Sequence, residues 1–344
     1  MSGNFVQRGE VAIMHKSLRA KHAIQGGADI VIELPTVFAT SNAELFAKGA
    51  IHVLSSIPDV DTLCFGAETA DKEEFLHAAA LLNNEPKEIS AQIQQYVANG
   101  VSYAKAYADA WATYIDPTFL RSPNNILGLE YTKAILAKQA KISIAPISRI
   151  GSAYSDNQLQ GNYSSATAIR AAINNQEQLG DNLPEYVKCD LPHALENHSD
   201  VLEKYAILTK NAEDLKAVCD CTEGLENAFL KAATAPLPLV ETLTSARYTS
   251  SRIRRIALQN FLFISEKLTR DCLDNPLYLK VLACKKNNDA LLTALHASSF
   301  PLLSRGLDGE GLTGIAKLCY ERDIFADKVC SLFYPIPTDK TIFI

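Results

Sequence analysis

VDTLCFGAE, residues 60–68, is the stretch on which the fold assignment turns. Val60 to about Phe65 reads as a short apolar strand, and Gly66 meets its end with a backbone that can turn sharply or be approached closely. Upstream, ADIVIELP (28–35) is another β-branched run, stopped by Pro35. Between the two, Ser41 or Asn42 caps a helix running from Ala43 to Ser56. Earlier still, Val11, Met14, Leu18 and Ile24 recur at helical spacing to Gln25, and Gly26-Gly27 stops that helix. Downstream, residues from about Lys72 to Ala140 read mostly as helices, before a third strand in ISIAPISRIG (142–151). Helices alternating with near-continuous apolar strands predict an α/β fold on a parallel sheet covered on both faces. Ligands of such sheets lie beyond the carboxyl ends of the strands, which places Gly66, Ala67 and Glu68 at the rim.

Past about Pro184 the alternation ceases and helices dominate, with short mixed elements near LYLKVLAC and KTIFI. The sequence therefore divides at about residue 180, with an α/β domain over 1–180 and a mostly helical one over 181–344. With 344 residues, 47% of them hydrophobic, the chain can bury cores for both. A net charge of −6 argues against wholesale nucleic-acid binding and leaves room for a local basic face. No stretch approaches the roughly 20 apolar residues needed to cross a bilayer, and no charged-then-apolar leader opens the chain, so a cytoplasmic protein without a membrane partner is expected. The eight cysteines form no CxxC pair and read as reduced thiols. Cys219-Asp220-Cys221 lacks histidines at ligand spacing and His193 and His198 read as loop residues, so no metal site is expected.

Four segments carry chemistry. In YSSATAIRAAI (163–173), Ser164 or Ser165 can cap a helix whose first-turn amides and dipole favour an anion, and Arg170 can lean back toward it. A well-capped surface helix accounts for the same residues. In SPNNILGLEY (122–131), Asn124 or Asn125 either caps a helix or faces a nucleotide; the motif alone leaves both open. ARYTSSRIRRIALQNFL (246–262) sets Arg247, Arg252, Arg254 and Arg255 near a helix start, above Ile253, Ile256, Leu258 and Phe261. Beside the acidic residues Glu213, Asp214, Asp220, Glu223 and Glu226 this predicts a locally basic surface, with a solvated helix bearing paired arginines as its plain counterpart. Finally, MSGNFVQRGE (1–10) has the composition of a loop that approaches a ligand.

The Ser-Ser-x-Thr-x-Ile-Arg run after a late strand resembles the phosphate-binding signature of the HIGH-type nucleotidyltransferases. Together with MSGNFVQRGE, GADIVIELP, CFGAE, PNNILGLEY, ISRIG and YTSSRIRR it is similar, over essentially the whole chain, to the bacterial tRNA(Met) cytidine acetate ligase family. The resemblance implies a Rossmann-like sheet with a helical tRNA-binding domain. It implies ATP, with Mg2+, bound by Gly66, by Asn124 or Asn125, by Arg149 with Ile150, and by Ser165 and Thr167. Ser164 and Arg170 would stabilise phosphate charge, and Arg247, Arg252, Arg254 and Arg255 would hold elongator tRNA(Met). The implied reaction makes acetyl-adenylate from acetate and ATP and passes the acetyl group to N4 of the wobble cytidine.

The family's His-x-Gly-His element is not matched here, since His15 and His22 lie on the first helix without the intervening glycine. MSGNFVQRG follows the second strand in the family, so the chain is expected to start one strand and one helix late. That leaves two further readings, a tRNA- or nucleotide-binding protein without activity and a nucleotidyltransferase acting on a small metabolite. GSAYSD (151–156) departs from the family's usual run.

Overall fold

The computed structural model describes residues 1–101, 103–150, 158–159, 163–191, 200–286, 289–304, 306–332 and 341–343. Gly151–Asp156, His193 and His198 lie outside them. The chain forms two compact units, one of residues 61–194 and one of residues 1–60 with 195–344. This division differs from a boundary near residue 180, because the first 60 residues group with the C-terminal part.

The unit of residues 61–194 is built on two parallel strands, Thr62–Ala67 and Ser143–Ser148, with Gly66 opposite Ile147 and Ala67 opposite Ser148. Parallel neighbours require a long crossover, and five helices supply it: Lys72–Asn83, Lys87–Ala98, Tyr103–Trp111, Pro117–Arg121 and Pro123–Lys138. Local sequence sets several of their ends. Asp71 accepts from the Glu73 and Glu74 amides, Asp116 accepts from the Thr118 amide ahead of Pro117, and Gln139 closes the last helix at a left-handed φ of 51°. The buried faces meet in an edge-to-face aromatic chain, Phe65 to Phe75 with centroids 5.2 Å apart and Phe75 to Phe119 at 4.8 Å.

Gly128 permits this packing, since a Cβ there would run into the Phe65 ring and stand 2.9 Å from Phe75. Gly128→Ala is therefore expected to destabilise the fold by about 1–3 kcal/mol through overpacking. Urea unfolding would show a lower midpoint at an unchanged slope. An unshifted midpoint would mean that the Phe65 ring has room to move aside.

In the other unit, the expected strand at 28–35 spans Ile30–Glu33 and does not join the parallel pair. It runs antiparallel to Leu279–Cys284, which pairs in parallel with Leu302–Leu303 and with Ile342–Phe343. The segment read as a short mixed element is thus the centre of a sheet, buried at every position. Its residues divide between two clusters, Leu282 and Ala283 with Ala20 and Ile24, and Leu279 and Val281 with Cys319 and Ala326. The first helix starts at Lys16 rather than Val11, because Val11 belongs to a hairpin of Phe5–Val6 and Glu10–Val11 and the Asn4 side-chain oxygen accepts from the Lys16 amide at 2.8 Å. Asn42 is the cap of helix Ala43–Leu54, accepting from the Leu45 amide. Helices Asp200–Leu208, Ala212–Lys216, Leu225–Ala233, Leu239–Leu243 and Ser250–Phe261 enclose a separate core of Ile207, Leu215, Phe229, Ile253 and Ile256.

Candidate functional site

The two parallel strands end side by side, and the Arg149 amide extends the ladder by donating to the Ala67 carbonyl at 3.0 Å. A Cβ built on Gly66 would meet only the Arg149 Cγ, at 3.6 Å, so the strand end is open and floored by the arginine stem. Arg149 and Ile150 are exposed, and among the described residues Arg149 makes no ion pair. An uncommitted guanidinium beside a glycine at the end of a parallel strand is suited to an anion or a phosphate chain.

Glu68 ties this strand end to helix Pro123–Lys138. Ser122, at the N-cap, makes no side-chain capping bond. The Glu68 carboxylate does it instead, accepting from the Asn124 amide at 3.1 Å, the Asn125 amide at 2.9 Å and the Asn124 side-chain nitrogen at 2.7 Å. An anion already sits on this helix start, where the dipole favours it. The two asparagines then differ sharply. Asn125 is 1% exposed and spent at both ends of its amide, accepting from the Thr69 backbone at 3.0 Å and donating to the Thr69 hydroxyl at 3.2 Å. Asn124 is half-buried, and its side-chain oxygen accepts no bond from a described residue. Neither side chain caps its own helix. The sequence signal for Glu68 was an acidic residue just past a strand, facing a Pro-Asn-Asn helix start without a capping side chain.

The serine-rich segment forms a second group within the same unit. Ser165 is the N-cap of helix Ala166–Asn174, accepting from the Ala168 amide at 3.0 Å, and Thr167 lies in the first turn. Arg170 does reach back, donating to the Ala166 carbonyl at 3.1 Å, so its charge lies along the helix start. The Ser164 amide donates to Asn182 at 2.9 Å, in the turn Gly180–Asn182. Gly66, Asn124, Asn125, Arg149 and Ile150 are thus brought together through the strand ends and Glu68, while Ser164, Ser165, Thr167 and Arg170 are gathered on their own helix and anchored on Asn182.

The four C-terminal arginines belong to the other unit, and the surface they make is not the basic one expected from their count. Arg252 donates to the Asp220 carbonyl at 2.8 and 3.1 Å and to the Thr222 hydroxyl at 2.9 Å, and pairs with Glu223 at 3.3 Å. Arg254 pairs with Glu10 at 3.0 Å. Arg255 lies 3.7 Å from Asp220, and burial, partly offset by Asp220, lowers its pKa. Arg247 is the most exposed of the four and reaches Glu223 at 3.6 Å. Asp220 and Glu223 stand against the arginines rather than beside them, so this face is a mixed, paired surface. Gly9 locks it further: at φ 75° a Cβ there would come within 2.5 Å of the Arg254 and Arg255 backbone.

A family model described as HIGH Nucleotidyl Transferase matches residues 1–342. A tRNA(Met) cytidine acetate ligase of Caldanaerobacter subterraneus subsp. tengcongensis is 35% identical over 356 residues, covering 97% of this chain and 87% of the relative. One of Clostridium novyi is 39% identical over 280 residues, covering 76% of this chain and 70% of the relative. Among solved structures, apo Thermotoga maritima TmcAL is similar at a TM-score of 0.89 and 27% identity, covering 100% of this chain and 91% of that one. The same protein bound with α-thio ATP is similar at a TM-score of 0.87 and 25% identity, with the same coverage.

Proposed function

We propose a function from the family to which this chain belongs, the HIGH nucleotidyltransferases and within them the tRNA(Met) cytidine acetate ligases: it joins acetate to ATP and transfers the acetyl group to a cytidine of elongator tRNA(Met). The observation that carries this reading is the open strand end at Gly66 with the uncommitted Arg149 guanidinium beside it. An acetate oxygen attacks the α-phosphorus, pyrophosphate leaves, and acetyl-adenylate remains. The cytidine N4 then attacks the acetyl carbon, AMP leaves with the electron pair of the broken C–O bond, and N4 loses a proton. No covalent enzyme intermediate is needed, so the protein's work is positioning and charge stabilisation.

In this reading Arg149 pairs with phosphate and Gly66 gives the nucleoside access to the backbone, with Ile150 against it. The helix start at Ser164, Ser165 and Thr167, with Arg170 along it, takes the remaining phosphate charge. Mg2+ travels with the triphosphate, because the carboxylate at the strand end, Glu68, is committed to the Asn124 and Asn125 amides. Asn124 meets the nucleotide and Asn125 holds the loop. Arg247, the least committed arginine of its helix, contacts tRNA phosphate without reading sequence.

Two measurements test this. Acetate-dependent exchange of pyrophosphate into ATP, followed by mass spectrometry of tRNA(Met) nucleosides, should show both exchange and acetylcytidine; exchange indifferent to acetate would sink the assignment. The asparagine pair should also separate. Asn124→Ala is expected to raise the KM for ATP about ten-fold, a hydrogen bond's worth, at an unchanged melting temperature. Asn125→Ala, which strips two buried bonds, is expected to lower stability by about 1–3 kcal/mol. Equal effects on KM from both would undo the division of roles.

A further inference from the structure

One residue just past the arginine-bearing helix stands in an unfavourable backbone conformation. Phe263 follows helix Ser250–Phe261 at a φ of 54°, the left-handed position that glycine or asparagine ordinarily fills when a helix ends this way. The two bonds that close such an end are present, from the Phe263 amide to the Asn260 carbonyl and from the Ile264 amide to the Gln259 carbonyl at 2.9 Å. A bulky aromatic there is strained, and it does not recover that cost by burial, because Phe263 is 56% exposed.

The ring is instead one member of a surface array. The Lys210 ammonium lies 5.2 Å from its centroid, held there by bonds of 2.7 and 3.0 Å to the carbonyl and side-chain oxygens of Asn260. On the other side Phe263 meets Phe325 edge to face, with centroids 5.6 Å apart, and the Arg322 guanidinium covers Phe325 at 5.5 Å. Beyond Phe325 opens a cavity of about 550 Å³ along helix Gly314–Cys330, into which Lys317, Tyr320 and Lys328 also project. That volume lies within the roughly 300–1,000 Å³ range of small-molecule sites. Glu310 and Glu321 line it too, against three cations, and among the described residues none of Lys317, Arg322 and Lys328 has an ion pair. This contrasts with the Ser250–Phe261 helix start, where acidic partners occupy the arginines.

Adjacent aromatic rings beside a concavity lined by Lys317, Arg322 and Lys328, none of them in an ion pair among the described residues, are the chemistry that holds unpaired nucleotides: bases stack on the rings and phosphates meet the cations. We infer that Phe263, Phe325 and Arg322, with the cavity that Phe325 and Arg322 line, seat an unstacked stretch of RNA. The inference rests on the reading above that the chain acts on tRNA, and it moves the main RNA contact from the arginine helix start to this array.

The test is fluorescence anisotropy of the full chain with a labelled tRNA(Met) anticodon stem-loop. Phe263→Gly is expected to raise Kd about ten-fold, the scale of one lost base stack, while the melting temperature holds or rises because glycine suits the left-handed position. Arg322→Glu is expected to raise Kd at least as much and to flatten its dependence on salt. Lys231→Glu, a surface change on helix Leu225–Ala233, should leave both unchanged. If the parent chain binds the stem-loop and Phe263→Gly binds it equally well, the inference fails and the tRNA reading stands. If the parent chain does not bind the stem-loop at all, both fall. Variants that change the mass in solution rather than the RNA affinity would identify the array as a self-association surface and overturn the proposal.

Discussion

Glu33→Ala is expected to cost about 3–5 kcal/mol, a large share of the stability of an ordinary domain, because it leaves the buried Lys16 and Lys280 ammonium groups to share the Asp327 carboxylate. The Glu33 side chain is 1% exposed and sits between Lys16 at 3.1 Å and Lys280 at 3.1 Å. Lys16 bridges on to Asp327 at 2.5 Å, and Asp327 accepts from the Asn4 side chain at 3.0 Å. Burial pushes the Glu33 carboxyl up, but Lys16 and Lys280 outweigh it and hold the pKa at about 2, below the ordinary 4.5. Its contribution is therefore full above pH 4.5 and is lost as pH falls toward 2. Asp327 behaves in the opposite sense. Burial raises its pKa from 3.8 to about 6, so what it adds is full below 3.8 and declines as pH rises through 6. Urea midpoints measured across this range should fall at the acid end in the parent chain and lose that acid slope in Glu33→Gln. A Glu33→Ala chain with the parent's midpoint would show that water reaches the cluster.

The same cluster accounts for part of the composition of the opening ten residues. Their composition is that of a ligand loop, yet Asn4 is 2% exposed and bonds to Asp327 and Lys16. A Cβ on Gly3 would strike the Glu33 carboxylate, and Arg19 donates to the Ser2 and Gly3 carbonyls. Polar and glycine-rich is what a segment needs to cross a buried charge cluster as well as to meet a ligand, and composition does not separate the two.

What the sequence carried were properties decided within a few residues: strands within 28–35, from 60 to about 65 and within 142–151, a cap at Ser41 or Asn42, which the structure assigns to Asn42, and the helix start at Pro123. What it did not carry were partnerships over long separations. Nothing local tells Ile30–Glu33 to pair with Leu279–Cys284 rather than with the parallel strands, or tells Glu68 to cap a helix that begins at Pro123. Charge counting failed at the arginines for the same reason, since Asp220 and Glu223 come from a separate turn and occupy them. Phe263 left only one trace, an aromatic residue where a helix end ordinarily has glycine.

Arg149→Ala is expected to lower acetate-dependent pyrophosphate exchange about ten- to hundred-fold, the scale of one charge-assisted hydrogen bond lost from a phosphate. The fold should not register the change. The side chain is exposed and makes no ion pair among the described residues, and the contact that anchors this residue is its backbone amide on Ala67, which alanine keeps. Arg149→Lys should recover part of the rate, since an ammonium restores charge but not the two-pronged geometry of the guanidinium. Gly66 provides the control on location. Alanine there makes only an ordinary 3.6 Å contact with the Arg149 stem, whereas a valine would reach into the open strand end and should weaken ATP binding without unfolding the unit. If Arg149→Ala and Gly66→Val both leave ATP binding and exchange intact while Arg170→Ala abolishes them, the triphosphate lies wholly on the Ser165 helix start and the strand ends have no part in holding it.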